Sequence, residues 1–514
     1  MKRCPECRRD YYDDSLLYCL DDGTALLEGP ATVEEPATAL FSAAAAKTAI
    51  LAESPISTEN SIAVLPFTNI SSDQDNEYFC DGLAEELINA LSKIDELKVA
   101  ARTSAFSFKG KDTDIPEIAK KLGVKTVLEG SVRKARDRLR IMVQLISADD
   151  GYHLWSERYD REMKDIFDVQ DEITLAVVDA LKLKLLAEEK NAVLKRHTNN
   201  SEAYELYLRG LSYINRFEPD DFQKAIESFR QALAIEPGYA AAYAGLSNAY
   251  TEMAFRSSPG DWMTKAKEAT RKALDLDDML GEAHTSLGVI KMYYDWEFAG
   301  AEEEFRRALA LDPGSAHIHM WYGWYLGLMG RFDEGLEKYQ GGWELDPLSE
   351  PINLGIGVNF HWSGQPTRAI ERFRRVLELS PTCYIVYPFL VEAYELTGDF
   401  VSAISEIENV REAVNDPMAL SAFAHVYAKA GNRAQALEIL KEVEKRSTEG
   451  NTGAFNIAQI YIGLGDNEEA FAWLEKAYSE RSLWLPFLRV DRKFEPLRDD
   501  PRFKDLLRRM GFPE

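Results

Sequence analysis

Residues 301–347 read AEEEFRRALALDPGSAHIHMWYGWYLGLMGRFDEGLEKYQGGWELDP, and the spacing of small, aromatic and proline residues in this stretch decides the fold. A small residue lets two helices approach closely, a large residue four positions later fills the gap, and proline ends the second helix. Each period therefore predicts a pair of packed helices. The pattern occurs twice here, 34 residues apart: Ala301, Phe305, Ala308 and Pro313, then Gly335, Tyr339, Gly342 and Pro347.

The pattern continues on both sides of this stretch and indicates about eight copies between residues 201 and 482. One helical hairpin cannot bury its own apolar face, so neighbouring hairpins must stack into a solenoid. These copies resemble the tetratricopeptide family, and residues 483–514 are expected to cap the array with a polar final helix. The other copies carry their first small residue at Ala225, Ala266, Ala369, Ala403, Ala436 and Ala470.

The resemblance to tetratricopeptide proteins implies that the first helix of each hairpin lines a concave groove, which binds a protein or peptide partner. Aromatic and methionine side chains fall at those positions in the central copies, and such side chains make good anchors for a docked segment. The alternative is that some of them belong to the core between hairpins. The predicted groove residues are Thr285, Val289, Met292, Tyr293, Met320, Trp324, His361 and Trp362.

Residues 61–190 alternate strand-like and helix-like patterns, and they predict an α/β domain with a mixed sheet. The run SIAVLPF at 61–67 predicts a strand, and the apolar spacing over 77–94 predicts a helix. The other predicted elements are a short strand over 97–101, a helix over 115–122, strands over 126–133, 139–147 and 152–159, and a helix over 167–187.

Two stretches of this domain carry a family resemblance: SIAVLPFTNISSDQDNEYFCDGLAEELINALSKI at 61–94 and LGVKTVLEGSVRKARDRLRIMVQLISADDGYHLWSERYDR at 122–161. They resemble the TolB-like (FlgO-like) amino-terminal domain of many bacterial signalling proteins, over residues 61–187. In those proteins the domain commonly precedes tetratricopeptide repeats and follows a cyclase, kinase or winged-helix module. The resemblance therefore implies a signalling role, but these residues give no support for a cyclase activity.

The sequence carries no nucleophile-elbow, zinc-protease or kinase signature, so the chain is predicted to be non-enzymatic. Cys80 is expected to be a packed small residue and not a nucleophile. Asp81 is expected to open a helix, where an acidic side chain caps backbone N–H groups.

Three arginines of the α/β domain, Arg102, Arg133 and Arg158, are candidates for an anion site. A guanidinium group suits anionic ligands, and the three side chains could converge at the ends of strands. Exposed ion pairing is the alternative explanation for all three.

Residues 1–28 form a cysteine-bearing unit, and residues 29–60, rich in Ala, Pro, Glu, Thr and Ser, are predicted to be a flexible linker. Two cysteines separated by two residues can present both thiolates to one tetrahedral ion. The unit resembles short bacterial zinc-ribbon-like N-termini with an aspartate near the last position. We therefore predict a structural zinc site, with a metal-free knuckle as the alternative. The predicted ligands are Cys4, Cys7, Cys19 and Asp22.

The 514-residue chain carries 60 Lys and Arg against 86 Asp and Glu, which gives a net charge of −26. This acidic balance argues against sequence-independent binding to nucleic acid or anionic lipid. The five cysteines do not form the dense pattern of a disulfide-stapled secreted protein, and the N-terminus has no apolar signal. No stretch is long and apolar enough to span a membrane, so we expect a cytoplasmic protein.

The sequence thus favours a multidomain protein with a zinc-ribbon-like unit, an α/β domain and an all-α tetratricopeptide solenoid. The function expected of it is a non-enzymatic adaptor in bacterial signalling or regulation, which holds a protein partner in the solenoid groove. The alternative is a transcriptional or nucleotide-signalling regulator whose N-terminal modules bind DNA or a small anionic ligand. The sequence leaves the partner and the oligomeric state open.

Overall fold

A computed structural model describes residues 60–71, 76–186, 189–190, 193–196, 198–216, 219–257, 259–448 and 453–512, and three short strands near the N-terminus. These strands are β1 (Lys2–Arg3), β2 (Asp10–Tyr11) and β3 (Leu27–Glu28). They form an antiparallel sheet in the order β2-β1-β3, within a compact unit of its own, Met1–Glu53. Outside the described residues lie almost all of the predicted linker 29–60 and the predicted zinc ligands Cys4, Cys7, Cys19 and Asp22.

The α/β domain is built on strands β4 (Ser61–Val64), β5 (Thr68–Asn69), β6 (Lys98–Val99), β7 (Thr126–Ala135), β8 (Arg138–Ser147) and β9 (His153–Glu162). The strand order is β6-β4-β7-β8-β9, and β5 pairs with β7. β4 pairs in parallel with β6 and β7, whereas β7, β8 and β9 form an antiparallel meander. The prediction of an α/β domain with a mixed sheet is confirmed.

Among its described residues this domain has four α-helices: α1 (Glu77–Leu91), α2 (Arg102–Phe106), α3 (Ile115–Leu122) and α4 (Ile166–Ala180). α3 shares a core cluster with Ala63 and Val127, so alternate residues of β7 beginning at Val127 face α3. The intervening residues face α1, since the Lys134 ammonium lies 5.2 Å from the ring centre of Phe79 in α1. The C-terminal part of β7 extends past α3, so the face of the sheet that α3 covers elsewhere is open to solvent there.

Local signals set the ends of these helices. The Asp114 carboxylate accepts the N–H of Glu117 at 2.8 Å and caps α3, and Gly123, at φ 65°, ends it as expected. The prediction that α4 continues to residue 187 is wrong, because the helix ends at Ala180 and Lys182 adopts a left-handed conformation with φ 57°.

Residues 201–479 form eight helical hairpins, as the repeat predicts. Their helices are α5 (Ser201–Arg216) and α6 (Pro219–Ile235), α7 (Ala240–Arg256) and α8 (Pro259–Leu276), α9 (Gly281–Ile290) and α10 (Phe298–Leu311), α11 (Ala316–Leu328) and α12 (Phe332–Leu345), α13 (Glu350–Trp362) and α14 (Pro366–Leu379), α15 (Tyr387–Thr397) and α16 (Phe400–Val410), α17 (Pro417–Lys429) and α18 (Arg433–Thr448), and α19 (Ala454–Leu464) and α20 (Asn467–Ser479).

Close approach of glycines to aromatic rings holds several of the hairpins together. A Cβ added at Gly288 in α9 would lie 2.8 Å from the ring of Phe305 in α10. Likewise, a Cβ at Gly357 in α13 would lie 2.5 Å from the ring of Phe373 in α14. Real Cβ atoms do not approach this closely, so the glycines allow the helices to pack around the buried rings. The prediction of an all-α solenoid of helical hairpins is confirmed.

The α/β domain packs directly on the solenoid. α1 lies against α5, where the Leu208 side chain fills the space that a Cβ on Gly82 would need. The Tyr78 hydroxyl donates to the Glu205 carboxylate at 3.1 Å across the same contact.

A second set of contacts uses one repeated position of the solenoid, the aspartate that follows α8, α10 and α12. Asp277 binds the Lys195 ammonium at 2.7 Å. Asp346 accepts the backbone N–H of Ser104 at 2.8 Å and also its hydroxyl. Asp312 is the middle one of these three aspartates. Burial raises the pKa of its carboxyl group, and the nearby Lys93 ammonium partly offsets this rise. Three successive hairpins therefore hold the α/β domain and the segment after it.

The chain after the last hairpin forms two 3₁₀ turns, Leu485–Arg489 and Arg492–Leu497, and a final helix, α21 (Pro501–Arg509). This end of the chain returns to the third hairpin: the rings of Phe512 and Phe298 stack with centres 4.1 Å apart. The Arg481 guanidinium also donates to the Tyr294 carbonyl oxygen at 2.7 Å. The array is therefore closed by contact between its last and third hairpins.

Candidate functional site

The predicted groove residues lie on the first helices of the third, fourth and fifth hairpins, except that Met292 and Tyr293 lie in the π-helical turn Lys291–Asp295 that continues α9. The structure brings the aromatic ones among them together. The centres of the Trp324 and Trp362 rings are 5.4 Å apart, and the Trp324 indole N–H donates to the Tyr293 hydroxyl at 2.6 Å. Met320 and Trp324 are half-buried. The other six predicted residues are buried: Thr285, Val289, Met292, Tyr293, His361 and Trp362.

The chain's own C-terminal segment covers these residues. The Phe487 ring lies 6.1 Å from Trp324 and 5.4 Å from Trp362, centre to centre. Trp484 stacks on Phe487 at 5.5 Å and also contacts Phe255 of α7 at 5.5 Å. We call residues 482–497 the inner segment, because they lie against the first helices of the hairpins. The expectation of a polar cap missed this part of the chain, although its apolar run LWLPFL was a signal that it must be buried.

A buried polar network fixes the other half of the inner segment. The Lys493 ammonium pairs with Glu392 of α15 and, at 3.2 Å, with Asp491. Glu392 also faces the His361 imidazole at 3.5 Å. Burial works against ionisation of Glu392, but Lys493 and His361 together lower its pKa to about 2. The carboxylate is therefore charged, and Lys493 supplies the compensating charge.

A stretch of the inner surface beside this segment remains in contact with solvent. His317 and Glu282 each reach solvent along one side, and Trp321 is half-buried. The Trp321 indole N–H donates to Nε2 of His317 at 2.9 Å, which fixes that nitrogen as an acceptor. Burial among the surrounding protein atoms lowers the pKa of His317 to about 4, so the imidazole is neutral at physiological pH. We call His317, Met320, Trp321 and Trp324 the open aromatic surface. Trp321 was not among the groove residues predicted from the tetratricopeptide resemblance, although it lies one helical turn from His317 on the same face.

The α/β domain carries a separate cleft of about 710 Å³ at the carboxyl end of β4. In open α/β sheets this is the usual place for a ligand. Glu129 of β7 and Gln144 of β8 lie directly opposite each other on its floor. The cleft is lined by Leu65, Pro66, Phe67, Thr68, Asn69, Glu77, Phe108, Lys109, Gly110, Lys111, Thr113, Ile115, Ile118, Glu129, Gly130, Ser131, Met142 and Gln144.

The charges in this cleft differ in how they are compensated. Lys109 pairs with Glu77 at 2.7 Å and with Asp81 at 2.6 Å, so its charge is already balanced. Glu129 and Lys111 form no ion pair with any of the residues that the structure describes. The cleft therefore offers one carboxylate and one ammonium to a ligand, above a wall of mixed polar and apolar side chains.

The three arginines predicted as an anion site are not brought together. Arg102 at the start of α2 pairs with Glu85 of α1 at 2.9 Å. Arg133 and Arg158 lie on the open face of the sheet, and Arg158 pairs with Asp160 at 3.1 Å. Ion pairing, the alternative explanation, thus accounts for Arg102 and Arg158.

Two expectations about α1 have opposite outcomes. Cys80 is fully buried, and burial raises its pKa to about 12, so it is a packed thiol as expected. The expectation that Asp81 opens the helix is wrong, because α1 begins at Glu77 and Asp81 lies one turn inside it. Its carboxylate binds Lys109.

Comparisons with known proteins divide the chain in the same way. Residues 58–176 match the model of the HilA/YgeH-like transcriptional regulator, second domain. Residues 297–349 and 421–482 match a tetratricopeptide repeat model. The TolB-like resemblance of the first region stays a prediction.

Two curated relatives match parts of the chain. A protein named putative adenylate cyclase 3, from Rhizobium meliloti, is 43% identical over 45% of this chain and 40% of its own length. The transcriptional regulator HilA of Salmonella typhimurium is 29% identical over 32% of this chain and 30% of its own length. The chain thus spans well under half of either relative.

Solved structures match the solenoid at low similarity. PilF from Pseudomonas aeruginosa is 22% identical, with a TM-score of 0.33 over 40% of this chain and 90% of that one. A tetratricopeptide repeat protein from Parabacteroides merdae is 16% identical, with a TM-score of 0.38 over 52% of this chain and 100% of that one. In the part of the chain that the structure describes, no helix is long and apolar enough to cross a membrane.

Proposed function

We propose that this chain is a non-enzymatic, cytoplasmic scaffold that binds a segment of a protein partner on its open aromatic surface. The observation that carries the proposal is the inner segment itself. The first helices of the solenoid already hold an aromatic-rich stretch of polypeptide, folded into two 3₁₀ turns, with Phe487 packed against both Trp324 and Trp362. Tetratricopeptide repeats generally mediate protein–protein interaction, and this surface has the same chemistry beside the part that the chain itself fills.

The partner segment suited to this surface is neutral to basic and carries an aromatic or aliphatic anchor. Met320 and Trp324 offer half-buried apolar contact area, which favours such an anchor. His317 is neutral, and Glu282, on the neighbouring first helix α9, has a pKa raised to about 7, so it becomes negative as the pH rises above neutral and then repels an acidic segment. The inner segment supports this interpretation, since it joins the apolar run LWLPFL to Lys493.

Site-specific photo-crosslinking tests the proposal. A photoreactive amino acid at Met320 is expected to capture a partner from an extract of the source organism, and the captured peptide should contain an apolar anchor. The matched control is the same amino acid at Val401, which is 83% exposed on the second helix of the sixth hairpin. Equal capture at both positions, or crosslinks only to residues 482–497 of the same chain, would contradict the proposal.

A second candidate function, regulation by a small ligand, rests on the cleft of the α/β domain. Its similarity to the second domain of transcriptional regulators favours a regulatory role for residues 58–176. Glu129 and Lys111, which form no ion pair within the described residues, suit a zwitterionic or phosphorylated molecule with an apolar body. A nucleoside monophosphate fits this description.

Thermal unfolding of the whole chain tests the second candidate. AMP and GMP, and separately the standard amino acids, are added at millimolar concentration, since a ligand that binds the folded state raises the unfolding temperature. The rise should disappear in Glu129→Gln and Lys111→Met but persist in Lys120→Met, which removes an exposed ammonium from α3 outside the cleft. No rise with any of these compounds would count against a ligand of this chemistry.

The zinc site also remains a proposal, resting on the donor chemistry of Cys4, Cys7, Cys19 and Asp22. Zinc quantification on the purified full chain is expected to give about one ion per chain, the number that a single four-ligand site holds. Cys7→Ser should abolish it. Cys383→Ser, which removes a cysteine of the solenoid, should leave the zinc content unchanged.

A further inference from the structure

β9 is the last strand in the order of the sheet, and its outer edge pairs with no strand of the described residues. Just after it, the N–H of Met163 donates to the Asp137 carbonyl oxygen at 2.7 Å. The pairing with β8 is regular from Glu162 back to Trp155, so odd-numbered residues direct their N–H and C=O groups toward β8. The backbone groups of Arg158 and Asp160 therefore point outward, to the open edge.

The side chains along this edge form an unusual charge pattern. Residues 157–161 read ERYDR, with charges −, +, 0, −, +. Read in the opposite direction, the run gives the opposite charge at every charged position. Such a run is complementary to an antiparallel second copy of itself, whereas most charged edge strands repel their own copies.

Strand geometry leaves few registers for such a pairing. Residues directly opposite each other in an antiparallel pair share the same hydrogen-bonding type, so a two-fold pairing places one residue opposite its own copy. With Arg158 at the centre two guanidinium groups face each other, and with Asp160 at the centre two carboxylates do. Like charges directly opposite are destabilising.

The register centred on Tyr159 avoids every such clash. It places Glu157 opposite Arg161 of the second copy and Arg158 opposite Asp160, and each of these pairs occurs twice. It also puts the outward backbone groups of Arg158 and Asp160 in hydrogen-bonding positions. Both faces of the sheet then carry opposite charges across the joint, since 157 and 161 lie on the face of α4 and 158 and 160 on the open face.

We propose that two copies of this chain pair through β9, antiparallel and centred on Tyr159, so that their sheets join into one. The ion pairs within one copy are compatible with this. Asp160 already binds Arg140 at 2.7 Å, and Arg161 binds Glu172 of α4 at 3.1 Å, so each new pair extends a charge ladder. The Arg158 side chain is 62% exposed and can reach the second copy.

Sedimentation velocity on the full chain tests this. An edge-strand contact is smaller than the ~1,200–2,000 Å² of stable interfaces, so a dimer at tens of micromolar should dissociate on dilution. Arg158→Asp and Asp160→Arg should each sediment as a monomer, because each places like charges opposite one another twice. Arg133→Asp, a charge reversal on the open face two strands from the edge, is the matched control and should remain dimeric.

Mixing the two monomeric variants is the decisive measurement. In a mixed pair, the aspartate introduced at position 158 of one copy would face the arginine introduced at position 160 of the other. The unchanged Asp160 of the first copy would face the unchanged Arg158 of the second, so charge complementarity is restored at every position. An equimolar mixture of the Arg158→Asp and Asp160→Arg chains should therefore sediment as a dimer. A wild-type chain that stays monomeric, or a mixture that stays monomeric beside a dimeric wild type, would overturn the proposal.

Discussion

At the scale of single residues, Lys493 shows most clearly how the inner segment is held. Its side chain is 10% exposed, and those of its partners Glu392 and Asp491 are 4% and 8% exposed. Burial opposes the charge of Lys493, but Asp491 and Glu392 raise its pKa above the usual value. Removing one partner of a buried pair leaves the other charge uncompensated, which costs more than the pair itself contributes.

Lys493→Met is therefore expected to lower the free energy of unfolding by about 3–5 kcal/mol. Urea unfolding followed by circular dichroism measures the change. Adding Glu392→Gln to the same chain should recover part of the loss, because the buried charge that Lys493 balanced is gone. Lys476→Met, at a side chain 46% exposed, is the control and should change stability little. A loss equal to that of the control would mean that the inner segment is not held by this pair.

The candidate site could be predicted only in part from single residues. The register of the first helices led to Trp324 and Trp362, and the structure brings these two rings together. The segment that covers them could not be found in this way. Phe487 lies far along the chain from both tryptophans, and no spacing within a repeat encodes a contact between the central copies and the segment that follows the last copy.

At the scale of elements, several hairpins depend on the match between a glycine and an aromatic ring. Gly288 in α9 has the ring of Phe305 where a Cβ would lie, whereas Gly260 in α8 has open space around it. Alanine favours the helix over glycine by about 1 kcal/mol when nothing else changes. The two glycines should therefore respond to alanine in opposite directions.

Gly288→Ala is expected to destabilise the chain by about 1–3 kcal/mol, because the added methyl overpacks the buried ring of Phe305. Gly260→Ala is expected to be neutral or to stabilise by a few tenths of a kcal/mol to about 1 kcal/mol. Thermal or urea unfolding of both variants beside the wild type measures the difference. Destabilisation of similar size at both positions would show that helix propensity, and not the contact with Phe305, governs these sites.

The elements themselves were predictable wherever their signals are local. The Asp114 cap and Gly123 bracket α3 within a few residues, and both can be recognised in the sequence. The start of α1 and the end of α4 were misjudged for a physical reason. Asp81 looks like a cap but sits inside a helix, where Lys109 from a distant loop satisfies it. Lys182, just after α4, adopts a left-handed conformation that glycine usually occupies. Because the residue there is a lysine, the sequence does not indicate that the helix ends at this point.

At the scale of the whole molecule, the junction between the α/β domain and the solenoid decides whether the two move together. Asp346 is buried and accepts both the N–H and the hydroxyl of Ser104. The neighbouring N–H of Ala101 donates to the Leu345 carbonyl oxygen at 2.8 Å. The junction therefore rests on a few buried hydrogen bonds at the end of α12.

Asp346→Ala is expected to loosen this junction without unfolding the solenoid. A buried donor left without its acceptor costs about 1–3 kcal/mol, so the Ser104 amide should exchange with solvent roughly tenfold faster or more. Hydrogen–deuterium exchange of the peptide that contains residues 101–106 measures this. Asp333→Ala, at an exposed aspartate on the same helix, is the control. Unchanged exchange in Asp346→Ala would mean that other contacts hold the domain in place.

The same junction is expected to respond to pH through Glu86 of α1. Burial and the nearby Glu85 raise the pKa of Glu86 to about 7, against an unfolded value of about 4.3. Between these values the unfolded chain has released the proton and the folded chain still holds it. The contribution of Glu86 to stability is therefore complete below about pH 4 and declines as the pH rises through about 7.

Glu86→Gln should flatten this decline, because the neutral amide resembles the protonated carboxyl at every pH. Glu282, whose pKa is also raised to about 7 by burial and by Glu85, titrates over the same range. The double variant Glu86→Gln and Glu282→Gln should therefore lose more of the pH dependence than either single variant. Urea unfolding of the four chains at several values between about pH 5 and pH 8 measures the slopes. If all four slopes are equal, these two carboxyls are ionised in the folded protein, and the junction is more open to water than its packing indicates.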